Sequence, residues 1–216
     1  MTTFPGSPKL PKGAIVALNP ATNQIVSTIA FQYNPESLSR TLQVQMAEGD
    51  DAAREEGLRL EGAPIETLKL EIEFDATDKL EQADSDAVEL GIYPQLAALE
   101  TLIYPSVNAV KANMKLADQG GLEIIPVQAP LTLLVWGKKR VLPVRLTDFS
   151  IEEQAYDVNL NPIRAKVALG LRVLNYSDLS WNERGARLFL GHHENLESMA
   201  RKGRLTNPSA VTGVRL

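Results

Sequence analysis

The sequence predicts a mainly β fold to which a few helices are added. Residues 131–174 are patterned as three strands joined by two turns, and residues 65–75 alternate apolar and charged side chains. No part of the chain shows the regular strand–helix–strand alternation of a parallel sheet. We therefore expect a large sheet or a barrel wall, with one or two helices inserted or appended.

The N-terminal part predicts an extended arm followed by a hairpin. Residues 1–13 contain three prolines and two glycines, which disfavour regular structure. Residues 14–18 and 25–33 are patterned as strands, and the turn formers at 19–23 join them into a hairpin.

Residues 39–46 resume the alternation and place Leu42, Val44 and Met46 on one side. The acidic residues 47–63 show no clear period and predict an exposed loop. The alternative for this loop is a segment that becomes ordered only against a partner subunit.

Residues 65–75 carry the second clear strand pattern. Its apolar face consists of Leu68, Leu70, Ile72 and Phe74. Its other face consists of Thr67, Lys69, Glu71 and Glu73. Such alternation is typical of a strand with one face on the core and the other in water.

A helical insertion is expected at about residues 89–117. Residues 91–104 have leucines at helical spacing, and Pro94 suits the first turn of a helix. The acidic residues 78–89 before it predict a linker or a frayed helix. Residues 107–122 are ambiguous and contain the loop signal Gly120–Gly121.

The block at residues 131–174 ends in the longest alternating run. Residues 163–174 would span roughly 40 Å as a strand. Its apolar face is Ile163, Ala165, Val167, Leu169, Leu171 and Val173. Its other face is Arg164, Lys166, Ala168, Gly170 and Arg172. This basic face would complement the acidic face of residues 65–75 if the two strands were neighbours.

The turn before this run, residues 157–162, gathers Asp157, Asn159, Asn161 and Pro162, which favour tight turns. We take residues 14–175 as the β domain and residues 176–216 as a C-terminal helix and flexible tail. Ser180 and Glu183 match the capping box of a helix start. Leu188, Leu190, Leu196 and Met199 form its imperfect apolar stripe.

The composition limits the classes of function. The 216 residues include no cysteine, which excludes disulfides and thiolate chemistry. The net charge of −5 argues against a general affinity for nucleic acid. No signal peptide or transmembrane stretch is expected, so we predict a soluble, cytoplasmic chain without direct membrane insertion.

The sequence offers little chemistry. His192, His193 and Glu194 form the one histidine cluster, but adjacent histidines diverge on a helix and predict an exposed segment rather than a metal site. No nucleotide-binding or hydrolase motif is present. The basic stretch Trp136–Arg140 predicts a hairpin loop rather than a nucleic-acid contact. We expect no enzymatic activity, no cofactor and no bound metal.

Two segments carry a resemblance to a known family. The apolar strand ending VWG, its basic turn and LPVRLTDFSIEEQAYDVNLNPIRAKVALGLRVL resemble the tube-protein domain of contractile injection systems, phage-tail-like particles related to type VI secretion. FQYNPESLSR at residues 31–40 resembles the N-terminal signature of that domain. The resemblance implies an Hcp-like, tail-tube-like antiparallel β-barrel or sandwich with one helix packed against it, here followed by the C-terminal helix. Its copies would form a ring, typically a hexamer.

The resemblance also implies partners. Members of this family connect the inner tube protein to a VgrG-like spike among other baseplate proteins, and many carry a C-terminal LysM domain. Residues 176–216 contain no LysM-like motif, which leaves open whether the chain is the hub adaptor or another layer of the tube. A stand-alone scaffolding or cargo-adaptor module is the alternative outside any particle.

Candidate surface residues follow from the strand patterns and this resemblance. The expected lumen or intersubunit face is Lys69, Glu71, Glu73, Arg164, Lys166, Ala168, Gly170 and Arg172; a sheet face wetted by bulk water is the alternative. The expected contacts between layers are Asp50, Asp51, Arg54, Asp157, Asn159 and Asn161, together with the two terminal arms.

Overall fold

The fold is a single antiparallel sheet with helices on it. The computed structural model describes residues 11–46, 59–120 and 128–204. Within these ranges, the strands are β1 (Ala14–Leu18), β2 (Ile25–Ala30), β3 (Leu38–Gln43), β4 (Ile65–Asp75), β5 (Leu131–Val135), β6 (Val141–Tyr156) and β7 (Pro162–Val173). The helices are α1 (Thr77–Glu81), α2 (Ser85–Leu90), α3 (Tyr93–Glu100), α4 (Val107–Asp118) and α5 (Arg184–Gly203). The strand order is β2-β1-β5-β6-β7-β4-β3.

The mainly β fold with added helices is confirmed, and the sheet is not closed into a barrel. Strand β4 has the predicted bounds, and β7 begins one residue earlier than predicted. Strands β2 and β3 are shorter than their alternating patterns. The loop Trp136–Arg140 is the predicted hairpin loop, closed by the Trp136 amide, which donates to the Arg140 carbonyl at 2.7 Å.

The core lies on one face of the sheet. Strands β4 and β7 pair antiparallel, with Leu70 opposite Leu169 and Ile72 opposite Val167, and these side chains are buried. Leu96 and Leu99 of helix α3 are buried in the same apolar core. This is the predicted packed helix, with Pro94 in its first turn. Apolar burial of this kind stabilises the domain by about 25 cal/mol per Å².

The segments on either side of α3 are also helical. The acidic residues before α3 form α1 and α2, and the Asp84 side chain caps α2 by accepting from the Ala87 amide at 3.0 Å. The ambiguous residues 107–122 include α4, capped by the Ser106 hydroxyl. No helix of the described residues is long and apolar enough to cross a membrane.

The Phe31–Asn34 segment holds the curled sheet together where strand pairing stops. The Gln32 side-chain amide donates to the Asp75 carbonyl at 2.7 Å and accepts from the Asp75 amide at 2.9 Å. One side chain thereby links the end of β2 to the end of β4. Phe31 is fully buried next to Trp136, and Asn34 accepts from the Gly13 amide at 2.8 Å. These contacts give the FQYN signature a structural role.

The predicted C-terminal helix is present, but the predictions of its first residue and of its buried face are wrong. Helix α5 begins at Arg184, and the Ser180 side chain caps nothing; its carbonyl accepts from the Glu183 amide at 2.8 Å. The buried residues are Gly185, Ala186, Phe189 and His192. Leu196 and Met199 of the predicted stripe are exposed. Small residues decide the docking, because Gly185 lies directly against Leu179 and Leu131.

The alternating segment at 39–46 does not bury its apolar side. Leu42, Val44 and Met46 are 50%, 61% and 40% exposed. Strand β3 is an edge of the sheet and pairs with the first half of β4 alone, so its end projects beyond the core. The predicted loop at 47–63 lies mostly outside the described residues, as does most of the N-terminal arm.

The Gln32 bridge predicts a specific loss of stability. Replacing Gln32 by Ala leaves the Asp75 main chain without its two partners, and we expect the free energy of unfolding to fall by about 1–3 kcal/mol. Urea unfolding measures this change. The matched control is Gln24→Ala, because Gln24 is exposed and its side chain forms no hydrogen bond with a described residue. Equal stability of Q32A and Q24A would contradict the role of the bridge.

Candidate assembly surface

The eight residues expected on one face do lie on one side of the β4–β7 ladder, away from the core. We call this set the charged face: Lys69, Glu71, Glu73, Arg164, Lys166, Ala168, Gly170 and Arg172. The register places Lys69 opposite Gly170, Glu71 opposite Ala168, and Glu73 opposite Lys166. The two strands are therefore neighbours, as the complementary charges of their outer faces predicted.

Ion pairs across the two strands organise the charged face. The Arg164 guanidinium lies 2.6 Å from Asp75 Oδ2 and 3.7 Å from Glu73 Oε1. Lys166 Nζ lies 3.9 Å from Glu71 Oε1. Apart from Asp75, these side chains are nearly half exposed or more, so the pairs contribute little stability. Their effect is to fix where each charge is presented.

Asp75 anchors this network at the end of β4. Partial burial alone would raise the pKa of its carboxyl group, but hydrogen bonds from Thr77 and Arg164 outweigh burial and lower the pKa. In turn, the hydrogen bond and charge of Asp75 raise the pKa of the Arg164 guanidinium. Both groups remain ionised across the neutral range.

Strand β6 extends the charged face by residues that the β4–β7 pattern alone did not include. Asp148, Ser150 and Glu152 lie opposite Gly170, Ala168 and Lys166. A register shift between Leu146 and Asp148 moves the later residues of β6 onto this face. The acidic pattern of β6 was visible in the sequence, but a one-residue bulge has no clear sequence signal.

The bulge also explains why Gly170 is buried, although we expected it to be exposed. Asp148 lies across it, and a Cβ atom at position 170 would stand 2.5 Å from Asp148 Oδ2. The small residue therefore makes room for a carboxylate from the neighbouring strand. Ala168 beside it remains exposed.

The turn between β6 and β7 brings together three of the residues expected at a layer contact. Asp157 Oδ1 accepts from the Asn159 amide at 2.7 Å and from the Asn161 amide at 2.8 Å. The Asn161 side chain also donates to the Glu89 carbonyl at 2.9 Å, which ties the turn to α2. Asp50, Asp51 and Arg54 lie outside the described residues.

Two apolar residues at the tip of this turn are an unexpected feature. Val158 is 98% exposed and Leu160 is 74% exposed. Leu160 has a left-handed backbone with φ 64°, which a leucine rarely adopts. The sequence contained both residues within the turn, but their exposure became clear only from the arrangement of the strands.

The expected exposure of the histidine pair is wrong for His192. Its side chain is buried on α5, where the helix meets the sheet, and burial lowers its pKa although the Glu66 carboxylate opposes the shift. Within residues 11–46, 59–120 and 128–204, no group of three or more His, Cys, Asp or Glu side chains could hold a metal ion.

The family of the chain is established by a match to a family model. Residues 9–179 match the model of the contractile injection system tube protein. Because this range covers well over half of the 216 residues, the chain belongs to that family. It is a structural component of the tube of a phage-tail-like contractile injection particle, as the two sequence signatures predicted.

Comparison with solved structures finds chains of gene transfer agent (GTA) particles. One comes from the tail of an empty particle, which was refined as a helix with C6 symmetry. Its sequence is 12% identical to this one, the match covers 74% of this chain and 90% of that chain, and the TM-score is 0.28. Another belongs to the virion of a native particle, with 11% identity, the same coverage and a TM-score of 0.27. Superpositions of this quality do not define a shared arrangement of elements. No curated protein matches the sequence.

The turn at Asp157 predicts a pH dependence of stability. The hydrogen bond from Asn161 is the main cause of the lowered pKa of Asp157, and the main-chain amides add to it. The folded state thus favours the carboxylate, and this contribution is present above the ordinary pKa of 3.8 and is lost as the pH falls through the lowered value. The difference in urea midpoint between the wild type and Asp157→Asn should be largest near neutral pH and should shrink below pH 3.8.

Asp118→Asn is the matched control, because Asp118 is exposed at the end of α4 and forms no hydrogen bond with a described residue. Its midpoint should follow that of the wild type at every pH. A D157N difference that stays constant down to the lowest pH would show that the carboxylate charge is irrelevant to the turn.

Proposed function

We propose that the chain forms a hexameric ring whose charged face lines the channel of the particle. We further propose that this ring is a hub adaptor, which joins the inner tube protein to a VgrG-like spike and contacts other baseplate proteins. The charged face is the observation that carries the proposal. It is a long, polar surface, and the described residues leave much of it exposed.

The extent of the charged face supports a channel wall. Strands β4, β7 and β6 have 11, 12 and 16 residues, longer than the usual strand of about 5–6 residues. Helix α5 packs near Leu131 and Pro143, at the start of β6. Farther along β6, Ser150 and Glu152 remain exposed.

The chemistry of the charged face supports the passage of cargo without adhesion. With Asp75 and the charges of β6, its cations and anions are equal in number: Lys69, Arg145, Arg164, Lys166 and Arg172 against Glu71, Glu73, Asp75, Asp148 and Glu152. No large apolar side chain is exposed among them. A surface of this kind offers a passing protein neither an apolar patch nor a field of one sign.

The two edges of the sheet support ring formation. Strand β2 is one edge and exposes Ile25 and Val26, which are 67% and 64% accessible. Strand β3 is the other edge and leads to the exposed Leu42 and Val44. Unpaired edges with apolar residues tend to associate. Two different edges on one subunit suit a head-to-tail contact, which closes into a ring.

The position at the spike end rests on the resemblance of FQYNPESLSR and of residues 131–174 to spike-connecting members of the family. The competing position is an ordinary layer of the inner tube. The two differ in copy number, because an adaptor occupies one ring per particle whereas a tube layer is repeated along the whole tail.

Quantitative mass spectrometry of purified particles tests the proposal. We expect this chain at the abundance of the spike-proximal ring, far below that of the main tube subunit. If this chain were as abundant as the main tube subunit, the adaptor position would be overturned. The chain would then form an ordinary ring of the inner tube. A chain that is absent from particles and monomeric by light scattering would overturn the ring itself, in favour of a stand-alone adaptor.

A further inference from the structure

Helix α4 presents an apolar row that nothing in the described chain covers. The helix has no buried residue. Val107 and Met114 lie two turns apart on one side and are 67% and 64% exposed, and Tyr104 just before the helix is 65% exposed. A helix whose apolar side is left open by the described residues is a candidate for contact with another molecule.

The border of this row is basic. Lys111 and Lys115 are one turn apart beside Val107 and Met114, and both are exposed. Neither lysine forms an ion pair with another described residue. The face therefore fits a partner surface that combines exposed apolar side chains with carboxylates.

The α1–α2 region of the same chain has these properties. It carries Glu81, Asp84, Asp86 and Glu89, and most of its surface is exposed. Val88, Leu90 and Tyr93 beside these carboxylates are 52%, 42% and 43% exposed. Every copy of the chain thus carries one apolar surface bordered by bases and one bordered by acids.

The two surfaces are attached near different ends of β6. Helix α2 is bound to the turn that follows Tyr156, through Asn161 and through the Ile92 amide, which donates to the Pro162 carbonyl at 2.9 Å. Leu102, which precedes α4, lines a cavity with Val144 near the start of β6. Complementary surfaces at different ends suit a head-to-tail contact between copies.

We infer that the basic face of α4 binds the acidic α1–α2 surface of a second copy of this chain. The contact is heterologous, so each copy offers α4 to one neighbour and α2 to another. This inference rests on the proposed assembly of the chain with itself. It adds the pair of surfaces that would select the neighbour.

Charge reversal provides the test. The double substitution Lys111→Glu and Lys115→Glu gives α4 the same negative charge as its proposed partner. The double substitution Asp86→Lys and Glu89→Lys gives α2 the same positive charge as α4. Like charges at a contact oppose association, and we expect each double variant alone to associate at least about tenfold more weakly at low salt. A mixture of the two double variants should assemble like the wild type, because each α4 then meets an α2 of opposite charge.

Sedimentation velocity and negative-stain imaging measure assembly, and circular dichroism checks that each variant is folded. The matched control is Lys138→Glu with Lys139→Glu, which makes the same charge change at exposed lysines of the β5–β6 loop. This control should assemble like the wild type, because the loop lies outside the proposed contact.

Defective double variants with a rescued mixture support the contact. Variants that assemble as well as the wild type overturn the contact and leave the proposed ring standing. Defective variants whose mixture is not rescued also overturn it, since α4 would then serve a different partner, such as a sheath protein. A wild-type chain that never assembles with itself overturns the proposed ring and the contact together.

Discussion

The register between β4 and β7 is the constraint on which the rest of the structure depends. Leu68, Leu70 and Ile72 face Leu171, Leu169 and Val167 inside the core. The intervening residues, which include the charged Lys69, Glu71 and Lys166, lie on the opposite side of the two strands. A slip of one residue would exchange the two faces of either strand and bury its charges. The same pairing therefore fixes both the apolar core and the ion pairs that Arg164 and Lys166 form with β4.

The sheet is curled but not closed, and this leaves the subunit with features that an isolated protein would normally hide. The Gln32 side chain supplies hydrogen bonds where strand pairing ends, while β2 and β3 are the two edges of the sheet in the described part of the chain. Val158 and Leu160 are exposed, and helix α4 has no buried residue. In the proposed ring, these features would form contacts between subunits.

The strands could be predicted from the sequence because an alternation of period two over eleven or twelve residues fits a β-strand and does not fit a helix. The packing of α5 could not be predicted. Leucines suggested its buried stripe, but the close approach of Gly185 and Ala186 to the sheet decided it, and this buried His192. The bulge at Asp148 likewise depends on a neighbouring strand, so the contribution of β6 to the charged face became visible only in three dimensions.

The most direct test of a channel-lining charged face asks whether Ala168 faces the channel of the assembled particle. The chain contains no cysteine, so Ala168→Cys and the control Lys202→Cys each introduce a single thiol. In assembled particles, the Ala168→Cys variant should react with a small maleimide but not with a maleimide attached to a bulky protein. In dissociated subunits, the same variant should react with both reagents. Labelling of position 168 by the bulky reagent as fast in particles as in dissociated subunits would contradict a position inside the channel.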